Sequence, residues 1–207
     1  SQGKTVEVAS VKTKKVTRTL KATSCKFIVM FLNIHSLRNK VEELNAFVNN
    51  TIDDIKSCAA LCLGEHWISP VEMQCLHLDG FETSAYYARP GGYGGSIILI
   101  RNGIKYIPLS QLSDISIEKC CELAGVFIPS INTFIVVIYR PPSGNFYHFV
   151  SNLANVFCYI DTLTCNVVKG GDFNVKFNSN DAFKIGICGL FKSFTLECCS
   201  NVPTRYN

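Results

Sequence analysis

Short apolar runs recur along this chain, and each is cut off by a polar residue. Phe27–Leu32 ends at Asn33, Cys58–Leu63 is followed by Glu65, Phe134–Ile138 ends at Tyr139, and Cys165–Val168 leads through Gly170-Gly171 to Asp172 and Asn174. Runs of four to six β-prone residues are too short for helices that bury themselves, and they read as strands covered on both faces. All fall far short of the roughly 20 residues needed to cross a bilayer. With 47% hydrophobic and 17% charged residues in 207, the composition suits one domain with a sizeable core.

The remaining segments supply the connections. After Asn33, Ser36 is expected to cap a helix whose Leu37, Val41, Leu44 and Phe47/Val48 follow the 3.6-residue period. Ser69-Pro70-Val71-Glu72 is a capping box with Pro at the first helical position. Phe81–Tyr87 alternates as a strand, and Gly91-Gly92-Tyr93-Gly94-Gly95 leads into the run Ser96–Arg101. Asn102-Gly103 then predicts a two-residue hairpin that returns Ile104–Leu109 antiparallel to that run. Cys120–Ile128 and Thr133–Tyr139 predict a second hairpin, and Asn145 caps a long amphipathic helix through Ile160. A last helical stretch is expected over Asp181–Phe194. Hairpins mixed with strand–helix–strand units point to an α/β (α+β) layered fold with mixed sheets.

Strand ends of a layered sheet lie along one rim, where sites are built. In an extended segment alternate residues face the same way, so Asp172 and Asn174 should point into a cleft and Phe173 and Val175 into the core. One Glu and one Asp among neutral amide and phenol groups suit a hard, oxygen-liking cation completed by water and a substrate phosphate. That chemistry favours phosphoester hydrolysis. Cys58, Cys62 and His66 recur every four residues, but on a strand they stand about 13 Å apart, too far to share one ion. The eleven cysteines include no Cys-x-x-Cys pair, and most sit in apolar runs where a thiol acts as a small hydrophobe.

Six segments in order carry a family likeness: Asn33-Ile34-His35-Ser36-Leu37-Arg38-Asn39-Lys40, Leu63-Gly64-Glu65-His66-Trp67, the glycine-rich lead into Ser96–Ile100, Tyr139-Arg140-Pro141-Pro142, Gly170-Gly171-Asp172-Phe173-Asn174 and Pro203-Thr204-Arg205. Together they resemble the endonuclease domain of jockey-type non-LTR retrotransposons. That domain is a branch of the endonuclease/exonuclease/phosphatase superfamily, which includes DNase I and the apurinic/apyrimidinic endonucleases. The resemblance runs from about Lys26 to the end, giving residues 26–207 as an incomplete domain of this kind. It implies a four-layered sandwich of two mixed β-sheets flanked by helices, with the last strands missing. By the resemblance Glu65 is the main ligand of Mg²⁺ (or Mn²⁺), and Asn33 lies near metal and phosphate. Tyr139 hydrogen-bonds the scissile phosphate, Asp172 orients or deprotonates the attacking water, and Asn174 assists it. The implied reaction cuts a DNA phosphodiester and leaves a 3′-hydroxyl that primes reverse transcription. The implied partners are DNA and a reverse transcriptase domain in a longer parent protein, with no membrane, and the implied location is the nucleus.

Two departures from the family pattern stand out. His66 occupies the position after the metal-binding Glu where Thr or Ser is usual. The family continues past Pro-Thr-Arg to an Asp and a Ser-Asp-His that this sequence lacks, so the expectation is of a C-terminally truncated domain with impaired cleavage. The alternatives are an inactive retroelement remnant that at most binds nucleic acid, and a phosphoesterase of the same fold acting on a small phosphoester.

Charge is unevenly placed. The first 26 residues hold Lys4, Lys12, Lys14, Lys15, Arg18, Lys21 and Lys26 against Glu7 alone, while the chain as a whole is only +4. Residues 1–25 therefore read as a basic, disordered arm, with Lys12, Lys14, Lys15 and Arg18, and Arg140 from the domain, as candidate nucleic-acid contacts. Nothing at Ser1-Gln2-Gly3-Lys4-Thr5 resembles a secretory signal, and the missing initiator Met predicts a fragment.

Overall fold

The structure, a computed structural model, describes residues 6–9, 27–50, 57–162, 165–177 and 181–196. The arm residues Lys12, Lys14, Lys15 and Arg18 and the motif Pro203-Thr204-Arg205 lie outside the described residues.

Period-two alternation within each buried run decides which side chains meet. The strands are β1 (Val6–Ala9), β2 (Ile28–Asn33), β3 (Cys58–Gly64), β4 (Phe81–Tyr87), β5 (Ser96–Arg101), β6 (Ile107–Pro108), β7 (Glu122–Ile128), β8 (Thr133–Tyr139) and β9 (Asn166–Asp172). The helices are α1 (Val41–Asn50), α2 (Pro70–Met73), α3 (Ser110–Asp114), α4 (Phe146–Asp161) and α5 (Ala182–Ser193). One sheet has the order β1-β2-β3-β5-β4, the other β6-β7-β8-β9. Both are mixed, because β2 runs parallel to β3 and β8 parallel to β9 while the other pairs are antiparallel.

The inner faces interlock. Val29, Phe31, Ala60, Cys62, Ile98 and Ile100 of the first sheet pack against Ala124, Val126, Ile128, Ile135, Val137 and Val168 of the second. The alternate residues Met30, Leu61, Leu63, Ile97 and Leu99 face outward onto Leu37, Leu44, Val48 and Met73 around α1 and α2. Leu123, Val136 and Ile138 face Leu112, Phe149, Leu153, Val156, Phe157, Ile160 and Ile187 of α3, α4 and α5. The result is helix, sheet, sheet, helix: the four-layered sandwich. Each fully buried Val, Leu, Ile, Phe or Met side chain among these contributes roughly 1.5–3 kcal/mol relative to exposure.

The capping box at Ser69 forms, with Ser69 and Glu72 each bonding the other's backbone N–H. Asn145 and Asp181 cap α4 and α5 by accepting from His148 N and Lys184 N. The hairpin β7–β8 closes through Pro129–Ile131, with Asn132 in the left-handed region.

Two local expectations are corrected. Ser36 does not cap α1: it sits at φ 74 in a turn, and the helix begins at Val41. Lys40 Nζ donates to the carbonyls of Ile34 and His35 at 2.6 and 2.7 Å, holding that turn open before the helix starts. Asn102-Gly103 turns the chain but closes no hairpin. Instead of pairing with β5, Ile107–Pro108 crosses to the other sheet and pairs with β7, because β5 is already flanked by β3 and β4. Within the stretch read as an arm, Val6–Ala9 forms an edge strand antiparallel to β2.

Candidate active site

Two parallel strand pairs bring the predicted polar residues to one rim. Asn33 stands level with Gly64 at the ends of β2 and β3, and Tyr139 level with Asp172 at the ends of β8 and β9. Across the sandwich β2 packs on β9 and β3 on β8, so the four ends meet. Glycines make that approach possible. A Cβ at Gly170 would stand 2.7 Å from the Phe31 ring. At Gly171, φ is +139 and a Cβ would fall on the Ile138 carbonyl oxygen. No other residue type fits both demands.

A single amide joins the two carboxylates. Asn33 Nδ2 donates to Glu65 Oε1 at 2.9 Å and to Asp172 Oδ2 at 2.5 Å. His35 Nδ1 lies 2.9 Å from Glu65 Oε2, and the His35 N–H donates to Asn33 Oδ1. Tyr139 is 4% exposed and stands beside Glu65. Burial, then the Glu65 and Glu122 charges, push the Tyr139 pKa well above that of a free phenol, so it stays a protonated donor. The Asn174 N–H donates to Asp172 Oδ1 at 2.9 Å, fixing that carboxylate from the other side. Glu65 is 7% exposed whereas the His35 side chain is 58% exposed. The cluster therefore opens to solvent beside His35.

Asn174 departs from simple alternation. It takes φ 47, and its amide turns to donate to the Arg140 carbonyl at 2.7 Å while Phe173 and Val175 pack on the core as expected. Arg140, read above as a nucleic-acid contact, lies beneath the loop after β9. It is 3% exposed, and its Nε, Nη1 and Nη2 donate to the carbonyls of Phe173, Gly144 and Asn174. With three of its five N–H donors on backbone carbonyls, the guanidinium braces the loop after β9.

His66 is 0% exposed and points away from the cluster. Its Nδ1 accepts from Ile68 N and its Nε2 donates to the Tyr87 carbonyl. Burial lowers its pKa to about 4, so no imidazolium opposes a cation at Glu65 near neutrality. Both ring nitrogens are taken, which also removes His66 as a partner for Cys62.

Sequence reasoning passed over several residues here. His35 is one; it lies two positions after Asn33, ahead of the Ser36 expected to cap the helix, and takes φ 47. Glu122 is another: fully buried at the start of β7, it accepts from Arg89 Nε at 2.7 Å, Gly95 N at 2.6 Å and Lys119 N at 2.8 Å. A lone carboxylate opening an apolar strand was the available signal. Of the nine non-glycine residues at positive φ among those described, six (His35, Ser36, Glu65, Trp67, Tyr93 and Asn174) lie in or beside this cluster. Such strain persists where surrounding hydrogen bonds over-determine the backbone. Here Ser36 N bonds Glu65 O, Glu65 N bonds Gly95 O and Trp67 N bonds Gly94 O, at 2.8, 2.9 and 2.9 Å.

Among the described residues no group of three or more His, Cys, Asp or Glu side chains is placed to hold a metal ion, and none of their helices is long and apolar enough to cross a membrane. Glu65 and Asp172, bridged by Asn33, remain as two carboxylates with neutral oxygens around them. That set fits Mg²⁺, which takes one or two carboxylates and keeps several waters.

No protein-family model and no curated protein sequence matches the chain. Its fold is that of known endonucleases. It is similar to the endonuclease domain of TRAS1, a telomere-specific non-LTR retrotransposon, with TM-score 0.60 and 14% identity over 81% of this chain and 70% of that one. It is also similar to an AP endonuclease from Archaeoglobus fulgidus, with TM-score 0.50 and 15% identity over 80% of this chain and 68% of that one.

Proposed function

We propose that this chain is a divalent-metal-dependent DNA endonuclease, hydrolysing a phosphodiester to leave a 3′-hydroxyl. The observation that carries the reading is the Asn33 amide held between the Glu65 and Asp172 carboxylates at the point where four strand ends meet. Glu65, with Asn33 beside it, would hold Mg²⁺ (or Mn²⁺). When bound, the ion supplies positive charge against the developing phosphoryl oxygens. Asp172, oriented by the Asn33 amide and the Asn174 N–H, takes the proton of the attacking water. Tyr139 donates its hydroxyl hydrogen bond toward the phosphate, a contact whose strength grows as charge develops. In a retroelement the nick would prime a reverse transcriptase domain of a longer parent protein, acting on DNA in the nucleus.

Nicking of supercoiled plasmid with Mg²⁺ tests the reading. Cleavage that chelation removes, that Asp172→Ala and Glu65→Gln reduce by ~10²-fold or more, and whose ends a DNA polymerase extends, is the expected result. Plasmid binding with no nicking would favour the non-catalytic remnant. Hydrolysis of a small phosphodiester ester alone would favour the phosphoesterase.

A further inference from the structure

Beside the polar cluster stands a row of rings that the proposed chemistry leaves unused. The His35 and Trp67 ring centroids are 4.5 Å apart and tilted by 58°; Trp67 and Tyr93 are 5.2 Å apart and tilted by 53°. The row begins on the site, because the His35 ring bonds Glu65, and ends in solvent, because Tyr93 is 61% exposed. Trp67 is half-buried between them.

The backbone is built to hold the row out. His35, Trp67 and Tyr93 all have positive φ, and Tyr93 is flanked by Gly92, Gly94 and Gly95 at φ 71, 97 and 86. Arg38, paired to both oxygens of Glu72 at 2.7 and 2.9 Å, lies under Gly92. The buried Arg89–Glu122 pair anchors the other end of the loop through Gly95 N. An exposed tyrosine on a strained, doubly anchored loop contributes little to the core. Left-handed non-glycine residues gathered at a cleft are a mark of function.

Resting on the endonuclease reading, we infer that His35, Trp67 and Tyr93 form a stacking platform for an unpaired nucleobase flanking the scissile phosphate of DNA. Every base has a π-face that can lie on an aromatic ring, but in a paired duplex those faces are covered by neighbouring bases. Two centroid steps of 4.5 and 5.2 Å keep Tyr93 within about three nucleotide steps of ~3.4 Å from the ring at Glu65. A base displaced beside the phosphate can therefore reach Tyr93 while the phosphate stays at the cluster. The substrate class favoured is DNA with a displaced or bulged base rather than uniform duplex.

Trp67 is the chain's one tryptophan, so its emission reports on the platform alone. The wild type, Tyr93→Ala and Tyr93→Phe are titrated without divalent metal with a paired 30-mer duplex and with the same duplex carrying one unpaired adenine. Thermal melts establish that the variants fold. Expected is about ten-fold tighter binding of the bulged duplex with quenched emission, reduced by Tyr93→Ala to the affinity for paired duplex and retained by Tyr93→Phe. Equal affinity for the two duplexes, unquenched emission, or a preference surviving Tyr93→Ala would overturn the platform. Metal-dependent plasmid nicking abolished by Asp172→Ala would then still uphold the endonuclease reading. Failure to bind either duplex would overturn the platform, and only together with a plasmid left unnicked in Mg²⁺ would it overturn the endonuclease reading as well.

Discussion

Asn33 does at the scale of one residue what neither carboxylate can do alone. Its amide neutralises part of the repulsion between Glu65 and Asp172 and orients both. Asn33→Ala should therefore lower nicking ~10²–10³-fold and also cost roughly 1–3 kcal/mol of stability, since two acceptors lose their donor. Nicking rates and urea unfolding read the two effects; full activity would place the chemistry elsewhere. Lys169 on β9 shows the opposite economy. Its amine lies 3.8 Å over the Phe157 ring, yet burial outweighs the Asp161 charge and lowers its pKa to about 8. The unfolded chain holds that proton up to about 10.5, so raising the pH through the interval from about 8 to 10.5 relieves the folded state, and stability gained from this group rises with pH. Lys169→Met should raise the melting temperature at pH 7 and narrow its advantage by pH 10.5. An advantage that does not change with pH would deny the buried ammonium. The strand-end residues Asn33, Glu65, Tyr139 and Asp172 were legible in sequence because alternation and run length place them. His35 and Glu122 were not, since their roles depend on a turn with positive φ and on a loop 27 residues distant in the chain.

Elements were legible where one period ruled a whole segment. The buried runs became β2, β3, β5, β7, β8 and β9, and α2, α4 and α5 start at the caps their sequences contain. Local turn chemistry failed where tertiary pairing overruled it, as at Asn102-Gly103, whose outgoing chain joins the other sheet. The Gly170-Gly171 pair is the reverse case, a local feature whose reason is tertiary. Gly171→Ala would press a Cβ onto the Ile138 carbonyl in a conformation that side chains rarely adopt. A cost of roughly 1–3 kcal/mol is expected, together with loss of nicking, although every polar residue of the site is retained. Denaturant midpoint and plasmid assay measure it. An alanine variant that nicks normally would show that the end of β9 tolerates displacement.

At the scale of the whole molecule, charge and catalysis are separated. The rim carries Glu65, Asp172 and the buried Glu122, Arg140 is occupied internally, and positive charge concentrates in the first 26 residues. A polyanion approaching the site gains little from the folded layers, so the basic segment is proposed to supply most of its attraction. Deleting that segment would be a poor test, because Val6–Ala9 pairs along β2 and its loss would bare a sheet edge. Replacing Lys12, Lys14, Lys15 and Arg18 by Gln keeps β1 and removes four charges. For single-site duplex DNA the log of the binding constant falls against log salt with a slope of about −0.9 per phosphate neutralised. If all four side chains meet phosphates, the variant's slope should be shallower by about 3–4, with binding weaker at low salt and converging on the wild type at high salt. Nicking of saturating plasmid should change far less than binding, since none of the four side chains belongs to the cluster at Glu65 and Asp172. An unchanged slope would assign the phosphate contacts to the layered domain itself.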